Sequence, residues 1–201
     1  MFAERFRTTR MVLRTCPGWL AVEALADAQG WPLAEDRTTA SEIGERREAR
    51  WDVRPAATVR YVEDHMSPHC WVVVGSPLAN RTQSLAQIVF ESLDPCSLQE
   101  CERLVETATS AQNLVASILR LGIAAPYKFD YSVYTLIAAG LTCPDERGGI
   151  PVRSAAMWAT TYSPYREYRR LLEEIAHRDP AEELRGRAQL VLEAFAANGV
   201  S

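Results

Sequence analysis

The feature that most constrains the fold is an internal repetition between about residues 110 and 196. An apolar segment carrying Val133, Leu136, Ile137 and Leu141 runs into the charged turn Cys143-Pro144-Asp145-Glu146. A second segment then starts at Pro151-Val152-Arg153 and carries Ala156 and Ala159. The pattern returns as Leu171, Leu172 and Ile175, the turn His177-Arg178-Asp179-Pro180, and a segment opening at Leu184-Arg185 with Ala188 and Val191. Ile137 matches Leu171, Leu141 matches Ile175, and Asp145 matches Asp179 at one offset, with Gly148-Gly149 extra in the first copy. Apolar positions three and four apart predict helices, so each copy is a pair of antiparallel helices. A unit of roughly 30 to 47 residues is the period of stacked helical repeats, which bury their faces against neighbouring copies. Leu114, Ile118 and Leu121 take the places of Val152, Ala156 and Ala159, giving about two and a half pairs. So short an array needs a cap.

The first half has a different period. Ala57-Thr58-Val59-Arg60-Tyr61-Val62 and Trp71-Val72-Val73-Val74 are β-branched, and loop formers separate them. They predict a β-hairpin over about 57–75. A helix is expected over Trp19–Ala28, ended by Gly30, and two more over about Leu78–Leu93 and Leu98–Thr107. Asp94-Pro95 stops the earlier of those two. Thr8–Thr15 fits a short helix or a strand. The stretch from Pro32 to Arg50 is charged; Ser41-Glu42-Ile43 can open a helix there, and Glu45-Arg46-Arg47-Glu48 reads as a solvated face. The expected fold is therefore α+β and mainly helical. A short α/β part (1–95) would cap, through its hairpin and the 78–93 helix, a small right-handed α-solenoid (96–201), the two packed as one body.

With those residues in hand, the second half resembles bacterial HEAT-repeat proteins. The motifs are Leu136-Ile137-x3-Leu141-x3-Asp145 with Pro151-Val152-Arg153-x2-Ala156-x2-Ala159, and Leu171-Leu172-x2-Ile175-x3-Asp179-Pro180 with Leu184-Arg185-x2-Ala188. Val115 stands where the first unit lacks the arginine. The front end is similar to the small α/β segment of some such proteins, through Val59-Arg60-Tyr61-Val62-Glu63-Asp64 and Trp71-Val72-Val73-Val74. The resemblance implies a surface for another macromolecule and no catalytic residues.

Composition narrows the classes. A net charge of −4 argues against a general nucleic-acid binder, which normally shows a basic face. The Arg5, Arg7, Arg10, Arg14 run is the best basic candidate. No apolar run approaches the roughly 20 residues that cross a bilayer, and Met1-Phe2-Ala3-Glu4 opens no secretory signal. A cytoplasmic location is expected. Five cysteines (Cys16, Cys70, Cys96, Cys101, Cys143) form no CxxC and read as buried thiols in a reducing compartment. Cys96 and Cys101, if both helical, point about 140° apart.

Candidate chemistry is sparse. His65-x3-His69-Cys70, beside Glu63 and Asp64, supplies three zinc-type ligands, but on one loop with no second pair; exposed loop histidines are the simpler expectation, and no metal or cofactor is assigned. GxSxG, HExxH and glycine-rich phosphate loops are absent. Asp145-Glu146 and Glu173-Glu174 read as solvated acids. The aromatic residues say more. Six of seven tyrosines form two groups, Tyr127, Tyr131, Tyr134 and Tyr162, Tyr165, Tyr168, with Trp158 one turn before Tyr162 and Arg153 and Arg166 nearby. Tyrosine, tryptophan and arginine dominate binding hot spots, though such rings equally plug junctions between helix pairs. The expected function is a non-enzymatic protein-binding module, an adaptor or an immunity-type antagonist of a basic partner such as a toxin. The binding residues would be Tyr127, Tyr131, Tyr134, Arg153, Trp158, Tyr162, Tyr165 and Arg166. The alternative is a HEAT-like enzyme: a DNA-repair glycosylase, using a basic face, or a chromophore lyase, using an exposed cysteine.

Overall fold

The computed structural model describes residues 5–41 and 44–200 and divides into two compact units, Met1–Ser97 and Leu98–Ser201. In the first, strands β1 (Phe6–Arg7), β2 (Met11–Val12), β3 (Leu33–Ser41), β4 (Gly44–Val53), β5 (Ala57–Glu63) and β6 (Cys70–Ser76) form one antiparallel sheet. Its order is β1-β6-β5-β4-β3, with β2 sharing the β6 edge. Helices α1 (Trp19–Ala28) and α2 (Ala79–Leu93) supply its second layer.

Alternation explains the sheet. Side chains on a strand point to opposite faces in turn. Ala49, Trp51 and Val53 on β4, Ala57, Val59 and Tyr61 on β5, and Cys70, Val72 and Val74 on β6 therefore share one face. They pack with Trp19, Val22, Leu25 and Ala26 of α1 and Leu85 and Val89 of α2 into a single buried core. Register aligns them in rows: Ala49 opposes Tyr61, which opposes Val72; Trp51 opposes Val59, which opposes Val74. Trp19 stacks on Trp51 at 5.3 Å between centroids, worth about 0.5–1.5 kcal/mol beyond the area buried.

This unit corrects the expected fold class. The strands are not a hairpin capping an α-solenoid; they build a six-stranded sheet with its own core. The missed signal is the charged 32–50 stretch. Its alternation was hidden because β3 is mostly polar and β4 carries charge on both faces: Arg50 pairs with Glu35 at 3.1 Å on the outward face, and Arg47, on the same side as Ala49 and Trp51, pairs with Asp36 at 2.6 Å. Glu45-Arg46-Arg47-Glu48 is thus strand. Of the helix start at Ser41-Glu42-Ile43, Glu42 and Ile43 lie outside the described residues, as do Met1 to Glu4 of the signal reading. In the Thr8–Thr15 segment the structure forms the strand, β2.

The second unit is helical: α3 (Leu98–Glu106), α4 (Ala111–Ala124), α5 (Tyr131–Leu141), α6 (Gly149–Tyr162), α7 (Arg169–Arg178) and α8 (Glu182–Ala197). Successive helices pack as pairs, α3 with α4, α5 with α6, α7 with α8. α6 also packs between α4 and α8, and α5 touches α3 and α7. Gly122 of α4 meets α6 at Ala159, and Gly140 of α5 meets it at Ala156. Small residues at those crossings let the axes approach. Among the described residues no helix is long and apolar enough to cross a membrane.

Candidate functional site

Two loops of the helical unit bring Tyr131 and Tyr134 of the first tyrosine group together with Tyr165 and Tyr168 of the second. Residues 125–130 connect α4 to α5, and 163–168 connect α6 to α7. Asp130 caps α5, its carboxylate accepting from Ser132 N at 3.0 Å and Val133 N at 3.1 Å. The Ser132 hydroxyl, then the Val133 N–H, hold this carboxyl below the usual carboxylate range. The loops are stitched to each other: Ser163 Oγ donates to Ala125 O at 3.1 Å, and the Tyr165 hydroxyl donates to Pro126 O at 2.8 Å.

On that stitching stands a continuous run of rings. Tyr165 stacks on Tyr168 at 5.5 Å and 12°; Tyr134 sits 5.3 Å from Tyr168 and 6.4 Å from Tyr131. Phe129 meets Tyr134 at 5.8 Å and Tyr165 edge-on at 5.4 Å. Burial is graded. Tyr168 and Tyr165 form a buried root, Tyr134 is half-buried, and Phe129, Tyr127 and Tyr131 are 47%, 52% and 71% exposed. The exposed rings are thus large, apolar and, for Phe129 and Tyr131, backed by a rigid stack. Burial, helped by Asp130, pushes the Tyr165 phenol up to about 12, so it is a neutral hydrogen-bond donor at neutral pH, with no base or nucleophile in the run. What the ledge can do is stack on apolar groups and attract cations to its ring faces.

The other expected binding residues lie apart from it. Arg153 is buried, with its guanidinium 3.0 Å from Asp145 and 2.9 Å from Asp179; it ties turns together. Trp158 is half-buried on α6 beneath the Arg187 guanidinium, 5.6 Å from its ring. Tyr162 is half-buried at the end of α6, and Arg166 is exposed beside Glu167 at 3.3 Å. Phe129 was missed, although the alternation Tyr127, Phe129, Tyr131 marks it in the sequence.

The metal reading finds no support. His65 is exposed, but His69 is buried, and so is Cys70, whose thiol donates to Thr15 O at 3.3 Å. Among the described residues no group of three His, Cys, Asp or Glu side chains could hold a metal ion. The arginine run is dispersed: Arg14 pairs with Asp94 at 2.9 Å, and Arg10 lies over Trp71. No disulfide joins the five cysteines, of which Cys16 is half-buried and the others buried. Comparison with family profiles, with characterised proteins and with solved structures returns no match to this chain.

Proposed function

We propose that this chain is a non-enzymatic protein-binding module whose aromatic ledge, Tyr127, Phe129 and Tyr131, takes a basic segment of a partner protein. The observation that carries it is the graded ring run: exposed tips on a root of Tyr134, Tyr165 and Tyr168 that is already ordered. A rigid aromatic costs little entropy when it docks, which is why such residues concentrate binding energy. The acidic balance of the chain and the Asp130 carboxylate beside the ledge favour a cationic partner, through long-range attraction and ring-face contacts. An adaptor and an antagonist of a basic toxin both use such a surface.

The test compares the wild-type chain with Phe129→Ala/Tyr131→Ala as bait in native lysate of the source organism, followed by calorimetry on the identified partner. Two hot-spot rings predict a loss of at least about 30-fold in affinity with an unchanged circular dichroism spectrum. A partner that binds the double variant as tightly as the wild type overturns the reading.

A further inference from the structure

The first unit holds a cleft lined by two arginines. α2 presents positions 81, 84, 85 and 88 along one face, since residues three and four apart on a helix are neighbours. Gly30, with φ +66°, ends α1, and Trp31 N–H donates back to Ala26 O at 2.8 Å. Pro32 O accepts from Asp52 N at 3.0 Å, which ties this segment to β4 just before the turn into β5. That turn carries Arg54, whose carbonyl accepts a hydrogen bond from the Arg81 guanidinium. Together these segments enclose a cleft of about 540 Å³. Its apolar lining is the buried Trp31, Val53 and Leu85, with Ile88 37% exposed.

The charge of this cleft is unbalanced. Among the described residues no Asp or Glu lines it, and apart from the arginines its polar side chains are the neutral Gln29 and Ser84. Other arginines of the same sheet have acids: Arg47 pairs with Asp36, Arg50 with Glu35 and Asp52, and Arg60 with Glu48. Among the described residues Arg54 and Arg81 pair with none. The Nε–H of Arg81 is buried without an acceptor. Two cations on one cleft repel each other, and an anion bound there removes that repulsion. The local sign is also opposite to that of the whole chain, whose net charge is −4.

We propose that this cleft binds a small organic phosphate, its phosphate held by Arg54 and Arg81 and its aromatic or apolar body lying on Trp31, Leu85 and Ile88. A guanidinium fork matches phosphate oxygens two at a time, and two forks match the nearly double charge of a phosphomonoester at neutral pH. A carboxylate carries one charge and leaves one arginine without a counterion. The volume lies within the roughly 300–1,000 Å³ of small-molecule sites, which combine apolar lining with a few convergent polar groups. Arg81 is half-buried and fixed by its bond to the Arg54 carbonyl, whereas the Arg54 side chain is exposed and free to close on a ligand. The site belongs to the strand-rich unit and does not depend on the aromatic ledge.

The experiment titrates the isotopically labelled full chain with phenyl phosphate and follows backbone amide shifts by NMR. The expected result is saturable shifts centred on Gly30, Val53, Arg54, Arg81 and Ser84. Phenyl phosphate should bind at least about 10-fold tighter than inorganic phosphate, phenol or benzoate. Arg54→Gln, and Ile88→Glu, which puts a carboxylate at the cleft, should each weaken binding at least about 10-fold. Phe129→Ala/Tyr131→Ala should bind as the wild type does. Benzoate bound as tightly as phenyl phosphate overturns the phosphate assignment, and inorganic phosphate or phenol bound as tightly overturns the two-part site. So do shifts confined to other surfaces, an unchanged affinity in Arg54→Gln, or no saturable shift while the spectrum reports a folded chain. If a variant fails to fold, the wild-type mapping with the three control ligands decides.

Discussion

Arg153 Nε lies 2.9 Å from Asp179 Oδ2, and both side chains are buried, 8% and 5% exposed. The contact joins α6 to the turn between α7 and α8. The same guanidinium donates to Cys143 O at 2.9 Å and to Asp145 Oδ1 at 3.0 Å, across the preceding turn. Asp145 and Asp179 are the matching aspartates of the repetition, and one arginine serves both. They are not equivalent energetically, because Asp145 is 73% exposed. Asp179→Ala strands a buried cation and frees Ala181 N–H, which Asp179 Oδ1 accepts at 2.9 Å. The expected cost is about 3 kcal/mol. Asp145→Ala should cost less than about 1 kcal/mol. Urea unfolding followed by circular dichroism separates the two; equal costs would refute the assignment.

Gly122 on α4 sits so close to α6 that an added Cβ would lie 2.7 Å from Ala159 Cα, a backbone atom that cannot swing aside. Gly122→Ala would raise helix propensity by about 1 kcal/mol in an open helix. Here overpacking of a backbone contact outweighs that gain, and the net change should be a destabilisation of about 1–3 kcal/mol. Gly186 on α8 has nothing within 4 Å of the added atom, so Gly186→Ala should stabilise by up to about 1 kcal/mol. The opposite signs of the two changes, read by thermal unfolding, are the check.

These contrasts explain how much was legible in the sequence. Helices α1, α2 and α3 could be placed because their apolar spacing and their stop signals, such as Gly30 and Asp94-Pro95, are local. The matching of Asp145 with Asp179 was likewise visible, since repetition needs no tertiary knowledge. β3 and β4 were not, because a strand whose exposed face carries Glu35, Arg37, Glu48 and Arg50 has the composition of a solvated loop; only pairing with β5 makes it a sheet. At the ledge, sequence grouped the tyrosines but could not say which were root and which were tip. That division depends on the hydrogen bonds from Ser163 and Tyr165 to Ala125 and Pro126, between residues some 40 positions apart.

Tyr168 is fully buried, and its hydroxyl has no hydrogen-bond partner. Burial, with Tyr165 and Tyr134 beside it, pushes its phenol far up, so it stays neutral. An unsatisfied buried hydroxyl costs roughly 1–3 kcal/mol. Tyr168→Phe keeps the ring stack and removes that cost, so it should stabilise by about 1 kcal/mol. Tyr165→Phe instead removes the bond to Pro126 O and should destabilise by about 1 kcal/mol. Chemical denaturation of the two variants gives the answer; a destabilised Tyr168→Phe would mean that the hydroxyl is satisfied in solution.

Asp36 gives the first unit an acid-sensitive contact. Arg47 donates to it twice, at 2.8 and 2.6 Å, and this hydrogen bonding holds the Asp36 carboxyl below its ordinary value. Arg47 also lies 3.2 Å from the centre of the Trp19 ring, so the pair pins the β3–β4 hairpin onto the start of α1. A depressed folded-state pKa means the unfolded chain binds the proton more readily. The stabilisation is therefore complete above the unfolded value of about 3.9 and is lost as pH falls through the lower folded value. With both side chains about 30% exposed, screening keeps the contribution to roughly 1 kcal/mol. Asp36→Asn should lose that amount at pH 6 and match the wild type near pH 2. Tryptophan fluorescence during urea unfolding reads it well, since Trp19, Trp31, Trp51 and Trp71 all belong to this unit. A difference between the two chains that is as large at pH 2 as at pH 6 would show that the carboxylate charge is not what Arg47 reads.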